Sequence, residues 1–125
     1  MAEAGGRITT HVLDTSQGVP AEGVRITLHL VQTNGESESR IKITESVTNG
    51  DGRLDAPLLA GGRLEQGMYE LHFDVEKYYA ARSPEPSVQA LWTVVPIRFA
   101  VSDTESHYHI PLLIAPGGYS TYRGS

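Results

Sequence analysis

Histidine side chains in this sequence lie at positions where they could perform acid–base chemistry, and an arginine is placed where it could bind an anionic group. His107 and His109 are two residues apart in the alternating segment 106–115, and His11 lies in a similar segment near the start. An imidazole titrates near neutrality, so it can remove a proton from water or return one to a leaving group. Arg53 follows a Gly-Asp-Gly turn, and its guanidinium can hold an anionic or urea-like group through two parallel hydrogen bonds. These residues are candidates for catalysis and for substrate binding.

The same side chains also have ordinary structural interpretations. A His-x-His pair on a strand can ligate zinc, but a closed zinc site needs about four ligands, and the sequence has no cysteine to supply them. His11 beside a core edge, or Arg53 as a solvated loop charge, would need no function. His29 and His72 occupy polar faces of their strands, and we interpret both as solvated surface residues. A metal-binding or purely structural domain therefore stays open as an alternative.

Alternation of apolar and polar residues predicts the strands that must position these groups. Near the C-terminus, one strand face is a core face formed by Tyr108, Ile110, Leu112 and Ile114. The opposite face carries His107, His109, Pro111 and Leu113. In the first strand, His11 shares its face with Arg7, Thr9 and Leu13.

The remaining pattern predicts an all-β fold. Alternating runs predict strands over residues 7–14, 24–33, 40–47, 53–56, 68–75 and 91–101, then two strands around a Pro-Gly-Gly turn. Loops are predicted over 15–20 and 34–39, and residues 76–82 form one short helix. Pro96 cannot donate to a ladder, which predicts an edge strand or a bulge there. Seven or eight short strands with one helix predict a two-sheet β-sandwich.

Length and charge bound the class of protein. A chain of 125 residues forms one domain, which we expect over residues 7–125 behind a disordered segment at residues 1–6. The net charge of -5 argues against nucleic-acid and anionic-membrane partners, because both need a basic patch. No apolar run of about 18 residues, no signal-peptide pattern and no Ser-Lys-Leu ending is present, so we expect a cytoplasmic protein.

Four segments together resemble the hydroxyisourate-hydrolase branch of the transthyretin-like family. They are Thr10–Asp14, Gly50–Arg53, His107–Leu113 and Tyr119–Ser125. The resemblance extends from about Arg7 to the end of the sequence. Its most specific element is the closing Tyr-Arg-Gly-Ser, which the enzymes carry and the hormone carriers of the family lack.

The resemblance implies a fold, a reaction and an assembly. It implies a transthyretin-like sandwich of seven to eight strands that forms a homotetramer, a dimer of dimers, with active sites in the channel between facing sheets. It implies hydrolysis of 5-hydroxyisourate to 2-oxo-4-hydroxy-4-carboxy-5-ureidoimidazoline in urate degradation. This purine-derived small molecule would be the substrate, and neither a metal nor an organic cofactor would be required.

The resemblance also implies roles for individual residues. The catalytic set comprises His11, Arg53, His109 and Ser125. The substrate-binding set comprises Arg53, Tyr122, Arg123, Gly124 and Ser125. We assign His109 as the general base and His11 as its partner, although the residues alone leave the opposite assignment open, along with the role of His107. Ser125 would orient a histidine or the attacking water, and Arg123 would anchor the terminus or bind substrate.

A carrier of thyroid hormone or a related aromatic ligand is the rival function within the same family. The transthyretins carry Lys, Glu, Thr and Thr at the positions that match His11, Arg53, His109 and Tyr122. Two imidazoles and a guanidinium would make the channel polar and cationic, and Tyr122 would narrow it. The resemblance therefore favours the enzyme over the carrier.

Overall fold

Two four-stranded β-sheets pack face to face in the computed structural model, which describes residues 5–82 and 91–125. The elements are β1 (Arg7–Asp14), β2 (Val19–Pro20), β3 (Arg25–Asn34), β4 (Ser37–Val47), β5 (Gly67–Asp74), α1 (Val75–Arg82), β6 (Val94–Val101), β7 (His107–Ala115) and β8 (Gly118–Thr121). The first sheet, here called the site sheet, has the order β2-β1-β7-β8, and the second has the order β4-β3-β5-β6. The predicted all-β sandwich with one short helix is confirmed.

The structure corrects four local predictions. Val19–Pro20 pair with the end of β1, so they form a short strand where a loop was expected. The hairpin after β3 turns over two residues and β4 begins at Ser37, so the loop predicted over 34–39 was too long. The strand predicted over 53–56 is absent, since only Arg53 makes a bridge there. In the last case, β6 begins at Val94, three residues after the predicted start.

The core lies between the sheets, and the alternation of apolar residues accounts for it. In β7, Tyr108, Ile110, Leu112 and Ile114 are all buried, as the pattern predicts. In β5, Tyr69, Leu71 and Phe73 are buried as well. Pro96 lies in β6, an edge strand of the second sheet, so the edge-strand alternative is confirmed.

The pairing of β1 with β7 positions the groups of interest. These two strands are parallel, and their register places Arg7 opposite His107 and Thr9 opposite His109. Side chains at paired positions project from the same face of a sheet. The outer face of the site sheet therefore carries histidines from one strand beside polar residues from the other.

A buried carboxylate holds β1 against the helix. The Asp14 side chain is fully buried, and it accepts hydrogen bonds from the Ser16 amide at 3.0 Å, the Tyr78 hydroxyl at 2.9 Å and the Tyr79 hydroxyl at 3.3 Å. Burial, together with the Asp14 carboxylate, raises the pKa of Tyr78 to about 12, so the hydroxyl stays protonated and donates. This network anchors the end of the strand that carries His11.

The histidines of the second sheet belong to an ion cluster, so the prediction that they are simply solvated was wrong. The Glu70 carboxylate accepts a hydrogen bond from Arg40 Nε at 2.8 Å and lies 2.7 Å from His72 Nε2. Hydrogen bonds, led by that from Arg40, lower the pKa of Glu70 to about 2. The His29 ring centroid lies 4.3 Å from that of His72. Sequence alternation placed these residues outward but could not reveal their mutual contacts.

Two further observations concern the N-terminal segment and the possibility of a membrane-spanning helix. The predicted disordered segment lies mostly outside the described residues, although the Gly6 amide donates to the Thr104 carbonyl at 2.6 Å. In residues 5–82 and 91–125, no helix has the length and apolar character needed to cross a membrane.

Candidate active site

A pocket of about 280 Å³ opens on the outer face of the site sheet, beside the segment that follows the Gly-Asp-Gly turn. Three groups of residues line it: strand residues from β1 and β7, the loop from Arg53 to Pro57, and the last residue of the sequence. The lining comprises Arg7, Thr9, Thr10, Arg53, Leu54, Asp55, Ala56, Pro57, His107, His109 and Ser125.

One threonine hydroxyl joins the two histidines of β7. Thr9 Oγ1 lies 2.7 Å from His107 Nε2 and 2.7 Å from His109 Nδ1. Because the Nδ1 atom of His109 is engaged, its Nε2 atom is the nitrogen left for substrate or water. In the described part of the chain, no three His, Cys, Asp or Glu side chains are grouped to hold a metal ion.

The turn before Arg53 fixes that residue beside β1. The Asn49 side-chain oxygen accepts from the amides of Asp51 and Arg53, at 2.9 Å and 3.2 Å. Gly52 has a φ of +74°, and a Cβ there would lie 2.3 Å from the Val12 carbonyl oxygen, so only glycine fits. The Gly52 carbonyl accepts from the Val12 amide at 2.8 Å, which ties the turn to the strand.

His11 faces Arg53 across an isolated antiparallel bridge. Its Nε2 atom lies 3.1 Å from the Asp51 carbonyl oxygen. A carbonyl oxygen only accepts hydrogen bonds, so this nitrogen must carry the proton, and Nδ1 of the neutral ring is then free to accept. His11 is not among the residues that line the pocket, and its link to the pocket runs through Arg53.

The terminal segment packs directly on the catalytic candidate of β7. The Gly124 amide donates to the His109 carbonyl at 2.8 Å. A Cβ on Gly124 would lie 2.4 Å from the His109 Cδ2 atom, so any larger residue would push the imidazole aside. This contact also brings Ser125 into the pocket lining. Gly124 therefore sets both the imidazole position and the path of the last residue.

Tyr122 and Arg123 lie elsewhere, on a second groove next to β6. The Arg123 guanidinium carbon is 4.6 Å from the centre of the Tyr108 ring, and Nη2 donates to the His107 carbonyl at 3.3 Å. Tyr122 is 57% exposed. Arg123 thus holds the terminal segment against the site sheet, and neither side chain lines the pocket of this chain.

The electrostatics of the site favour neutral imidazoles. Burial first, and then the charge of Arg53, lowers the pKa of both His11 and His109. Burial, Arg7 and Arg123 lower the pKa of His107. A neutral imidazole with a free nitrogen can take a proton from water near neutral pH. The adjacent guanidinium supplies the positive charge that an anionic substrate or an oxyanion requires.

The structure brings most of the predicted site residues together. Arg53, His109 and Ser125 line one pocket, while His11 and Gly124 each contact a lining residue. Sequence reasoning missed Arg7, Thr9 and Asp55 as pocket residues. The face that His11 shares with Arg7 and Thr9 was a usable signal for the first two.

Comparison with known proteins shows the family to which the chain is similar. The sequence pattern of the HIUase/Transthyretin family matches residues 8–124. The 5-hydroxyisourate hydrolase of Halalkalibacterium halodurans is 50% identical over 120 residues, which are 96% of this chain and 98% of that protein. The structure of Klebsiella pneumoniae 5-hydroxyisourate hydrolase is 38% identical with a TM-score of 0.76, over 96% of this chain and 99% of that chain.

A longer protein contains a similar domain. The crystal structure of (S)-allantoin synthase matches 98% of this chain at 42% identity with a TM-score of 0.85, and this chain spans 45% of its length. The family pattern includes the helix, nearly all of both sheets and every residue that lines the pocket except Arg7 and Ser125. From this agreement we conclude that the protein belongs to the HIUase/Transthyretin family.

Proposed function

We propose that the protein is a 5-hydroxyisourate hydrolase that opens the six-membered ring of its substrate in urate degradation. The observation that carries this proposal is the convergence of Arg53, His109 and Ser125 on one pocket. The relatives at half identity that bear this enzyme's name support it. The polar and cationic lining supports an enzyme in preference to a carrier of apolar hormones.

The chemistry follows from the groups in the pocket. The Arg53 guanidinium holds the planar ring through its urea-like edge. Nε2 of His109 takes a proton from water while the water oxygen attacks the ring carbonyl. The positive charges of Arg53 and Arg7 stabilise the tetrahedral oxyanion. The carbon–nitrogen bond then breaks, the nitrogen receives the proton held on His109 Nε2, and a carboxylate and a ureido group result.

His11 and Ser125 complete the proposed site. His11 donates through Nε2 to the backbone at Asp51, and its Nδ1 atom can orient water or substrate beside Arg53. Ser125 lines the pocket next to His109, where its polar groups can position the water. We assign Tyr122 and Arg123 to shaping and anchoring the terminal segment.

We also propose the homotetramer, a dimer of dimers. Half-buried Leu13 and Leu113 are paired on the outer face of the site sheet, where a second subunit would cover them. Sedimentation equilibrium should then give the mass of four chains, and a mass of 13.6 kDa would contradict the assembly.

The activity is tested by adding the protein to urate freshly oxidised by a urate oxidase. We expect the ultraviolet absorbance of the unstable product to decay much faster than it does without the protein. A decay rate equal to the spontaneous rate would overturn the proposed function. Because His109 must be neutral and its pKa is lowered, activity should persist below pH 6.5 and fall as His109 becomes protonated.

Substitution of the site residues should separate their roles from folding. His109→Asn, His11→Asn and Arg53→Gln should each lower kcat/KM by roughly two to four orders of magnitude. His72→Asn on the second sheet is the matched control and should keep the full rate. A site variant that retains the full rate would remove that residue from the mechanism.

Gly124 offers a test of geometry that leaves the catalytic groups unchanged. Gly124→Ala should lower kcat by about tenfold or more, because the new methyl group displaces the His109 ring, and 1 Å of misplacement is costly. Gly117→Ala is the control, since a Cβ there meets nothing within 4 Å. Equal rates for the two variants would show that the terminal segment does not position His109.

A further inference from the structure

The hydroxyl of Thr9 has two histidine neighbours, and that arrangement constrains both rings. A hydroxyl has one proton to donate, so it can donate to only one of two ring nitrogens. The other nitrogen must then carry a proton and donate to Oγ1. With both distances at 2.7 Å, the proton positions on His107 and His109 are coupled through Thr9.

We propose that Thr9 and His107 form a proton relay behind His109, an inference that rests on the proposed hydrolase function. The relay has two states that differ in the nitrogen that carries the proton. In the first, His109 Nδ1–H donates to Thr9, Thr9 donates to His107 Nε2, and His109 Nε2 is free to act as a base. In the second, His109 Nε2 carries a proton, the Thr9 hydroxyl donates to His109 Nδ1, and His107 Nε2–H donates to Thr9.

The transfer balances in protons and charge. His109 Nε2 takes a proton from water, its Nδ1 proton passes to Thr9 Oγ1, and the Thr9 proton passes to His107 Nε2. His109 is then neutral with a proton on Nε2, ready to donate to the leaving nitrogen, while His107 carries the positive charge. The relay reverses as that donation takes place, so His109 Nδ1 regains its proton as Nε2 loses one, and the starting state is restored.

The charges around His107 favour the return step. Arg7 is paired with His107 across the β1–β7 register, and Arg123 donates to the His107 carbonyl. His109 lies on the same face, with a ring centroid 6.0 Å away. These guanidinium groups disfavour a lasting positive charge on His107, so a proton returns through Thr9 to His109 Nδ1 while the Nε2 proton passes to the product.

Thr9→Val, which removes the hydroxyl and keeps the side-chain shape, tests the relay in the full-length protein. We expect kcat for 5-hydroxyisourate to fall at least about tenfold with KM changed less than about twofold. Thr9→Ser should restore most of kcat. Thr27→Val on β3 is the matched control for loss of a half-buried threonine hydroxyl, and it should keep the wild-type kcat.

A double substitution distinguishes a relay from two separate packing effects. His107→Phe should lower kcat about as much as Thr9→Val. The double variant should be no slower than either single variant, because each single substitution already interrupts the relay. Losses that multiply would overturn the relay. If Thr9→Val fails to fold, the kcat values of His107→Phe and Thr9→Ser are compared instead. The relay predicts a large loss of kcat for His107→Phe and little loss for Thr9→Ser, and equal kcat values would overturn it.

The nitrogen-15 chemical shifts of His109 provide a measurement that needs no activity. The shifts report which ring nitrogen of His109 carries the proton. We expect this tautomer to differ between the wild-type protein and the His107→Phe variant, and also between the wild-type protein and the Thr9→Val variant. Unchanged shifts in both variants would overturn the proposal. A wild-type protein that shows this coupling but does not accelerate substrate decay would instead contradict the proposed function and leave the relay standing.

Discussion

The parallel pairing of β1 with β7 is the constraint on which the rest of this structure depends. About one hundred residues separate the two strands in sequence, and their register sets Thr9 opposite His109 and Arg7 opposite His107. A shift by one residue would turn each set of side chains to the opposite face of the sheet. The buried residues between the sheets prevent that shift, because it would expose the core face of both strands. Hydrophobic packing therefore fixes the geometry of the polar site.

Two backbone features then complete the site around that pair of strands. Gly52 lets the turn approach the Val12 carbonyl, which brings Arg53 beside His11. Gly124 lets the terminal segment lie against the His109 ring. Both positions need glycine because a Cβ atom would clash there. Gly52 thereby sets the position of Arg53, and Gly124 sets that of His109. Burial and the nearby guanidinium groups then lower the pKa values of the histidines, which keeps the imidazoles available as bases.

Sequence alternation predicted much of the fold because burial on one face is a local property of a strand. The core faces of β5 and β7 followed from it. The edge position of Pro96 followed from another local property, the missing amide hydrogen of proline. The shared face of Arg7, Thr9 and His11 was also visible, but its meaning required the long-range register with β7. The bridge at Arg53 and the ion cluster at His72 depend on contacts between distant segments, which no local pattern encodes. The family resemblance supplied proposed roles for residues that spacing alone left open.

The most direct test of the central claim is a crystal structure of the protein with urate, which has the purine ring but does not undergo the hydrolysis. Our account predicts that the ring lies in the pocket of the site sheet, with its urea-like edge on the Arg53 guanidinium and His109 Nε2 within hydrogen-bond distance, beside Ser125. Urate bound instead in the groove of Tyr122 and Arg123, or a His109 ring that faces away from the bound purine, would contradict the account.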